Sequence, residues 1–306
     1  MASANSQIGD PFQCILVPTD FSAGAAMALE RAVRLPLAPN ARLHVGHVLP
    51  ADLSRSARGR AEARAKRSLV GAFSMVTDAV AAVDGAQLRV SSEILRGQPF
   101  IEIIRCSRTI GADLIALGRH GRRPVRDMFI GTTAQRVIRK GDVAVLVVAE
   151  KPAGPYRRPL VATDLGDASL RSIELALRAL GPAVKGVAVV HAYQTPFEGF
   201  IDAGSDLRPS EFHKEWKSRA AAGLAKLLGT LEETGVRWKP IVRRGDPRTV
   251  IVKELLLRRA DLVVLGTHGR SGMAHALLGS VAEWVIACAP CDVLVARPQL
   301  FSFELP

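Results

Sequence analysis

Two stretches of this sequence repeat one spacing of small and polar residues. Gly118 to Thr132 reads GRHGRRPVRDMFIGT, and Gly266 to Ser280 reads GTHGRSGMAHALLGS. In each, two glycines stand with two residues between them, nine residues follow, and a Gly-hydroxyl pair closes the pattern. The first glycine ends an apolar run, and the closing pair opens a helical pattern, GTTAQRVIRK or GSVAEWVIAC. Glycines let a backbone come close to a phosphate. A helix start adds unpaired N–H groups and the positive end of a dipole. The hydroxyl of Thr132 or Ser280 adds a donor. The pattern is neither a Walker A loop, since no lysine follows the glycine, nor a dinucleotide G-x-G-x-x-G. Turn glycines followed by a helix cap are the other reading of the same residues.

Asp20, in PTDFS, and Asp164, in ATDLG, each follow the first apolar run of a copy. In a doubly wound sheet the ligand crevice lies beyond the carboxyl ends of the strands. If the first and fourth strands are neighbours, each Asp faces its own glycine loop. A carboxylate repels phosphate, so its place is at the base or ribose. An N-cap of the next helix is the alternative role. His120 and His268 lie inside the glycine loops and admit a catalytic reading or a turn reading. His47 and His191 end second strands and read as packing or crevice-lining residues.

These residues recur because the whole chain repeats. CILVPTDFS matches PLVATDLG, LHVGHVLP matches VAVVHAYQTP, and LRGQPFIEIIRCSRTIGADLIALGRHGR matches RRGDPRTVIVKELLLRRADLVVLGTHGR. Asp113 thereby pairs with Asp261, and Gly97 with Gly245. The second copy carries about four extra residues, placed in TPFEGFIDAGSDLRPSEFHKEW. A domain-sized repeat implies two domains, 1–152 and 153–306, joined at EKPAGPYRRP. Apolar runs such as CILV, LHVGHV, LIALG and VAVLVV mark strands buried on both faces, and helical patterns separate them. Asp246-Pro247 reads as an N-cap with Pro at the first helical position, and Gln98-Pro99 as its weaker counterpart. The alternation predicts an α/β fold of doubly wound parallel sheets.

Composition narrows the partners. The chain has 306 residues and a formal charge of +12. Its start, MASANSQIGDP, lacks the features of a secretory signal, and no apolar run reaches the ~20 residues of a membrane span. A cytoplasmic chain without a membrane span is the expectation. Net positive charge favours anionic ligands such as nucleotides. The basic stretch Ser54 to Ser68 suits a solvated helix face; no aromatics interleave with its charges, which argues against nucleic acid. Cys14 and Cys106 read as core residues. Cys288 and Cys291 form C-A-P-C, either a redox pair or half a metal site, or simply a helix end turning into a strand.

Together, the glycine pattern, the strand-one Asp and GSVAEWVIACAPCDVLVA make the chain resemble two universal stress protein domains in tandem, from about Gln13 to Arg297. The pattern is that of the family's ATP-binding branch. The resemblance implies a phosphate cradle on Gly118, Gly121, Gly131, Thr132 and Thr133, and a second on Gly266, Gly269, Gly279, Ser280 and Val281. It places Asp20 and Asp164 on the adenosine side. It implies strand order 3-2-1-4-5 and a Rossmann-like sheet in each copy, with the fifth strands pairing as an intramolecular pseudo-dimer. It further implies an ATP-binding stress-response module that acts on a protein partner, with magnesium compatible and a homodimer of tandem chains allowed. A slow ATP hydrolase or autokinase, and a nucleotide-independent scaffold for anionic partners, are the alternatives. Two departures stand out. Copy one has Arg122-Arg123-Pro124 where copy two has Arg270-Ser271-Gly272. Copy two has Ala162 and Gly166 where copy one has Pro18 and Ser22.

Overall fold

The computed structural model describes residues 9–81, 88–121, 131–166, 169–181, 184, 186–195, 209–231, 234–267 and 278–297. The first copy runs β1 (Phe12–Pro18), α1 (Ala23–Val33), β2 (Leu37–Leu49), α2 (Arg55–Ala81), β3 (Arg89–Arg96), α3 (Pro99–Ile110), β4 (Leu114–Gly118), α4 (Thr132–Lys140) and β5 (Ala144–Val148). The second runs β6 (Pro159–Ala162), α5 (Ser169–Ala179), β7 (Gly186–Tyr193), α6 (Pro209–Gly229), β8 (Arg237–Arg244), α7 (Pro247–Arg258), β9 (Leu262–Gly266), α8 (Ser280–Cys288) and β10 (Asp292–Ala296).

The helix ends follow local chemistry. Ser22 caps α1 by accepting from the Ala25 N–H at 3.2 Å. Asp246 caps α7 through the Arg248 N–H, with Pro247 at the first turn. Gln98 occupies the same place before α3 without a side-chain cap bond, and α3 ends on Gly111 at φ 63°. The basic stretch forms the exposed start of α2.

The strands form one sheet in the order β3-β2-β1-β4-β5-β10-β9-β6-β7-β8. Each half therefore has the strand order 3-2-1-4-5. All neighbours are parallel except β5 and β10, which meet antiparallel with Leu146 opposite Leu294. Helices α3, α4, α7 and α8 pack on one face of the sheet. Helices α1, α2, α5 and α6 pack on the other. Both cores cross the β5–β10 seam. Each fully buried aliphatic side chain on either face of the sheet contributes roughly 1.5–3 kcal/mol. Asp113 accepts from the backbone N–H groups of Gln13 and Cys14, and Asp261 from those of Arg157 and Arg158. The paired aspartates thus tie the start of each first strand to its fourth. No described helix is long and apolar enough to cross a membrane.

A buried polar knot closes the seam. Asp292, at the start of β10, accepts from Arg31 Nε of α1 at 3.0 Å, from the Tyr156 hydroxyl at 2.7 Å and from the Ala149 N–H at 2.9 Å. Arg31 also donates to the Gly154 carbonyl and stacks on the Tyr156 ring. Burial, with the neighbouring Asp292 charge, holds the Tyr156 pKa well above the usual phenol value, so its hydroxyl remains a donor. Replacing Asp292 by Ala leaves Arg31 charged and buried. The expected loss is about 3–5 kcal/mol, read as a lowered urea midpoint at unchanged slope.

Cys14 and Cys106 lie in the core, as the sequence suggests. Cys288 ends α8 and Cys291 stands just before β10, at the helix-to-strand turn the sequence allowed. All four thiols are free. Burial pushes the Cys291 thiol up to about 12 and the Cys106 thiol up to about 11. A thiol reagent at neutral pH should therefore label one cysteine quickly, Cys288, and the other three only on denaturation. Mass spectrometry of the labelled peptides checks this.

Candidate nucleotide crevices

At the carboxyl ends of the first and fourth strands, each half opens into a cavity. The first has a volume of about 580 Å³ and is lined by Asp20, Gly118, Gly121, Gly131, Thr132 and Thr133. The second has a volume of about 800 Å³, and Asp164, Gly266, Gly279, Ser280 and Val281 line it. Both fall in the range of small-molecule sites, ~300–1,000 Å³. Gly269, His268, Arg122 to Pro124 and Arg270 to Gly272 lie outside the described residues.

The turn after the first strand is built the same way twice. Thr19 Oγ1 accepts from the Phe21 N–H, and Asp20 Oδ1 from the Ser22 N–H, each at 3.0 Å. Thr163 and Asp164 repeat this toward Leu165 and Gly166, again at 3.0 Å. Each turn places a large apolar residue in the left-handed region, Phe21 at φ 60° and Leu165 at φ 63°. That conformation costs roughly 1–2 kcal/mol for a non-glycine residue, and the paired side-chain bonds hold it. His47 Nδ1 lies 2.7 Å from the Thr19 carbonyl and His191 Nδ1 lies 2.9 Å from the Thr163 carbonyl. A carbonyl only accepts, so Nδ1 carries the proton in both rings. Both histidines line their cavities. The N-cap role belongs to Ser22, so Asp20 is a turn residue that faces the glycine loop.

The glycines of the first loop have different reasons to be glycine. A Cβ on Gly118 would stand 2.4 Å from the Gly24 backbone, so this residue lets α1 pack against the end of β4. A Cβ on Gly121 would stand 2.7 Å from Asp20 Oδ2. Gly131 is unlike both. Its φ of −58° suits any residue, and among the described residues a Cβ there would meet Arg119 O at 3.6 Å and Gly121 N at 4.0 Å. Among the described residues, packing does not demand glycine at this position. The Gly131 N–H donates to the Arg119 carbonyl and the Gly279 N–H to the Thr267 carbonyl, at 2.9 and 2.7 Å, pinning each loop at its two ends. Helices α4 and α8 then start on these glycines with no side-chain cap. Arg119 itself turns away from the crevice and donates to the Cys291 carbonyl across the seam.

The second cavity has a wall the sequence reading did not foresee. Trp216, Arg219, Gly223 and Lys226 of α6 line it. Their spacing of three, four and three puts them on one helix face. That periodicity was present in the sequence; that this face looks into the crevice depends on the tertiary fold. Among the described residues, none of α2 lines the first cavity.

Comparison with known proteins fits this geometry. A model of the universal stress protein family matches residues 11–149 and again residues 155–297. Universal stress protein Rv1996 of Mycobacterium tuberculosis is 26% identical over 319 residues, which cover 93% of this chain and 95% of the relative. Universal stress protein MJ0531 of Methanocaldococcus jannaschii is 38% identical over 146 residues, 46% of this chain and 82% of that protein. A solved universal stress protein from Archaeoglobus fulgidus has the same fold, with a TM-score of 0.68 over 93% of this chain and 96% of its own at 18% identity. One family model matched twice, on two halves of one strand order, leads to a single conclusion: the chain belongs to the universal stress protein family, as a tandem of two domains.

Proposed function

We propose that the chain is an ATP-binding stress-response module with one crevice in each domain, 1–152 and 153–306. The observation that carries this reading is the repeated pairing of an uncapped, glycine-started helix with an aspartate across the same cavity. The N–H groups at the starts of α4 and α8, with the hydroxyls of Thr132 and Ser280, donate to phosphate oxygens. Asp20 and Asp164 accept from the ribose or base at the other end, where they do not face phosphate charge. A side chain in place of Gly121 would collide with Asp20. Magnesium, if bound, would be held by the phosphates and would offset their charge. Occupancy sets the order of the glycine loops and through it the choice of protein partner.

The second crevice is the tighter of the two. Arg219 and Lys226 bring positive charge to its wall, and its loop has Ser271 and Gly272 where the first has Arg123 and Pro124. Proline removes one donor. One charge-assisted hydrogen bond is worth about 1.5–3 kcal/mol, or roughly ten- to a hundredfold in affinity.

Titration calorimetry with ATP should show two sites separated by about that factor. Gly131→Val should remove the weaker site and Gly279→Val the tighter one. The reverse assignment overturns the ranking, and parent-like binding by both variants overturns the cradle. Mass spectrometry of nucleotide released from freshly purified protein tests the reading itself. ATP supports it, ADP points to the hydrolase, and no nucleotide together with no ATP binding points to the scaffold.

Turnover with magnesium should be slow. A steady-state rate in the ordinary enzyme range, ~1–10³ s⁻¹, would make the chain an ATP hydrolase instead.

A further inference from the structure

On the sheet face covered by α3, the first half carries three side chains of metal-ligand type outside the crevice. His44 lies in β2, Glu93 in β3 and Cys106 on α3. One ligand atom from each lies within 4.8 Å of the others. The register brings them together: His44 stands opposite Ser91, so Glu93, two residues on, projects to the same face as Ser91.

The imidazole is oriented and incomplete. Its Nδ1 lies 2.8 Å from Ser91 Oγ. Its Nε2 is buried, with no hydrogen-bond partner among the described residues. The nearest acidic atom, Glu93 Oε2, is 3.8 Å away, beyond hydrogen-bond reach. Buried polar atoms are nearly always satisfied, so an orphaned ring nitrogen beside a thiol and a carboxylate calls for a ligand. A hydrogen-bond partner on the other ring nitrogen fixes the tautomer and orientation of a metal-bound histidine, and Ser91 Oγ takes that place here. The Glu93 side chain is 55% exposed, which gives an ion a way in.

We propose that His44, Glu93 and Cys106 form a binding site for a divalent transition ion of the zinc class, with water as a fourth ligand. Imidazole, thiolate and carboxylate together suit zinc or cobalt and are poorly suited to magnesium or calcium. Coordination releases the Cys106 thiol proton to solvent. Zinc holds its ligands at about 2.0–2.3 Å, so the three groups draw inward on binding. Glu93, exposed on an edge strand, has the freedom to do so.

The second half cannot repeat the site. Ala188, Ile241 and Glu254 stand at the matching positions. Glu254 already accepts from Arg243 at 2.7 Å and Arg258 at 2.9 Å. The expected stoichiometry is therefore one ion per chain.

Cobalt(II) is the probe, titrated into the reduced full-length protein and followed by absorbance. One equivalent should bind with a thiolate-to-cobalt charge-transfer band and the intense visible bands of tetrahedral cobalt, and zinc should displace it. Cys106→Ser should abolish the charge-transfer band. Ser91→Ala should weaken binding about ten- to a hundredfold, and Glu93→Gln at least about tenfold. Glu93 is exposed, so this last variant keeps the comparison valid if Cys106→Ser does not fold. A band that survives in folded Cys106→Ser would place the ion on other thiols and overturn the site. So would unchanged binding in Glu93→Gln, or the absence of stoichiometric cobalt in the parent.

Discussion

Each fifth strand is an apolar edge, and an apolar edge must be covered. Here β5 and β10 cover one another, and most other contacts between the halves follow from that pairing. Antiparallel alignment of Leu146 with Leu294 turns one half about a twofold axis relative to the other. Both cores become continuous across the seam. Arg119 then reaches the Cys291 carbonyl in one direction, and Arg297 reaches the Gly141 carbonyl in the other. Burial lowers the Arg297 pKa to about 10, still far above neutrality, so the guanidinium remains charged against backbone carbonyls. The two crevices acquire fixed positions on one rigid sheet.

Much of this was legible in the sequence. The repeat, the inner strands, both Pro-started helices and the pairing of fifth strands follow from apolar runs, cap residues and the family resemblance. The third strands were harder. β3 reads RVSSEILR and β8 reads RWKPIVRR, with mostly exposed or half-buried positions. Neither shows an apolar run because each is an outer edge. Charges along both strands, and Pro240 within β8, are what an unpaired edge uses to discourage further strands. The contrast between polar outer edges and apolar inner edges is itself a sequence signal for which edge is to be paired. The α6 wall could not be read in advance, because helical spacing identifies a face without saying what the face meets.

The crevices show the same split between local and tertiary information. The Asp-turn residues announce themselves by repetition, yet the left-handed Phe21 and Leu165 do not, since neither residue type favours that conformation. The glycines look equivalent in the sequence and are not. Gly118 serves helix packing and Gly121 makes room for Asp20, whereas no described residue crowds a Cβ at Gly131. The crevices also touch indirectly. Gln135, which lines the first, donates to Glu283 of α8 at 2.9 Å, and Arg139 of α4 reaches the same carboxylate at 2.7 Å. Gln135 and Glu283 are corresponding residues of the two copies. In a dimer of identical chains the same position would meet its twin, and two glutamates there would repel. Tandem duplication allows an amide to face an acid.

The short connection between β5 and β6 has a further consequence. Through Tyr156 and Gly154 it is anchored to the very residues, Arg31 and Asp292, that hold the halves together. Association of the two halves is therefore intramolecular, with an effective concentration that short linkers set in the millimolar range. Two separate domains would come apart when expression falls or a sample is diluted. In this chain the paired state is independent of abundance, so the two crevices keep the same arrangement at every protein level.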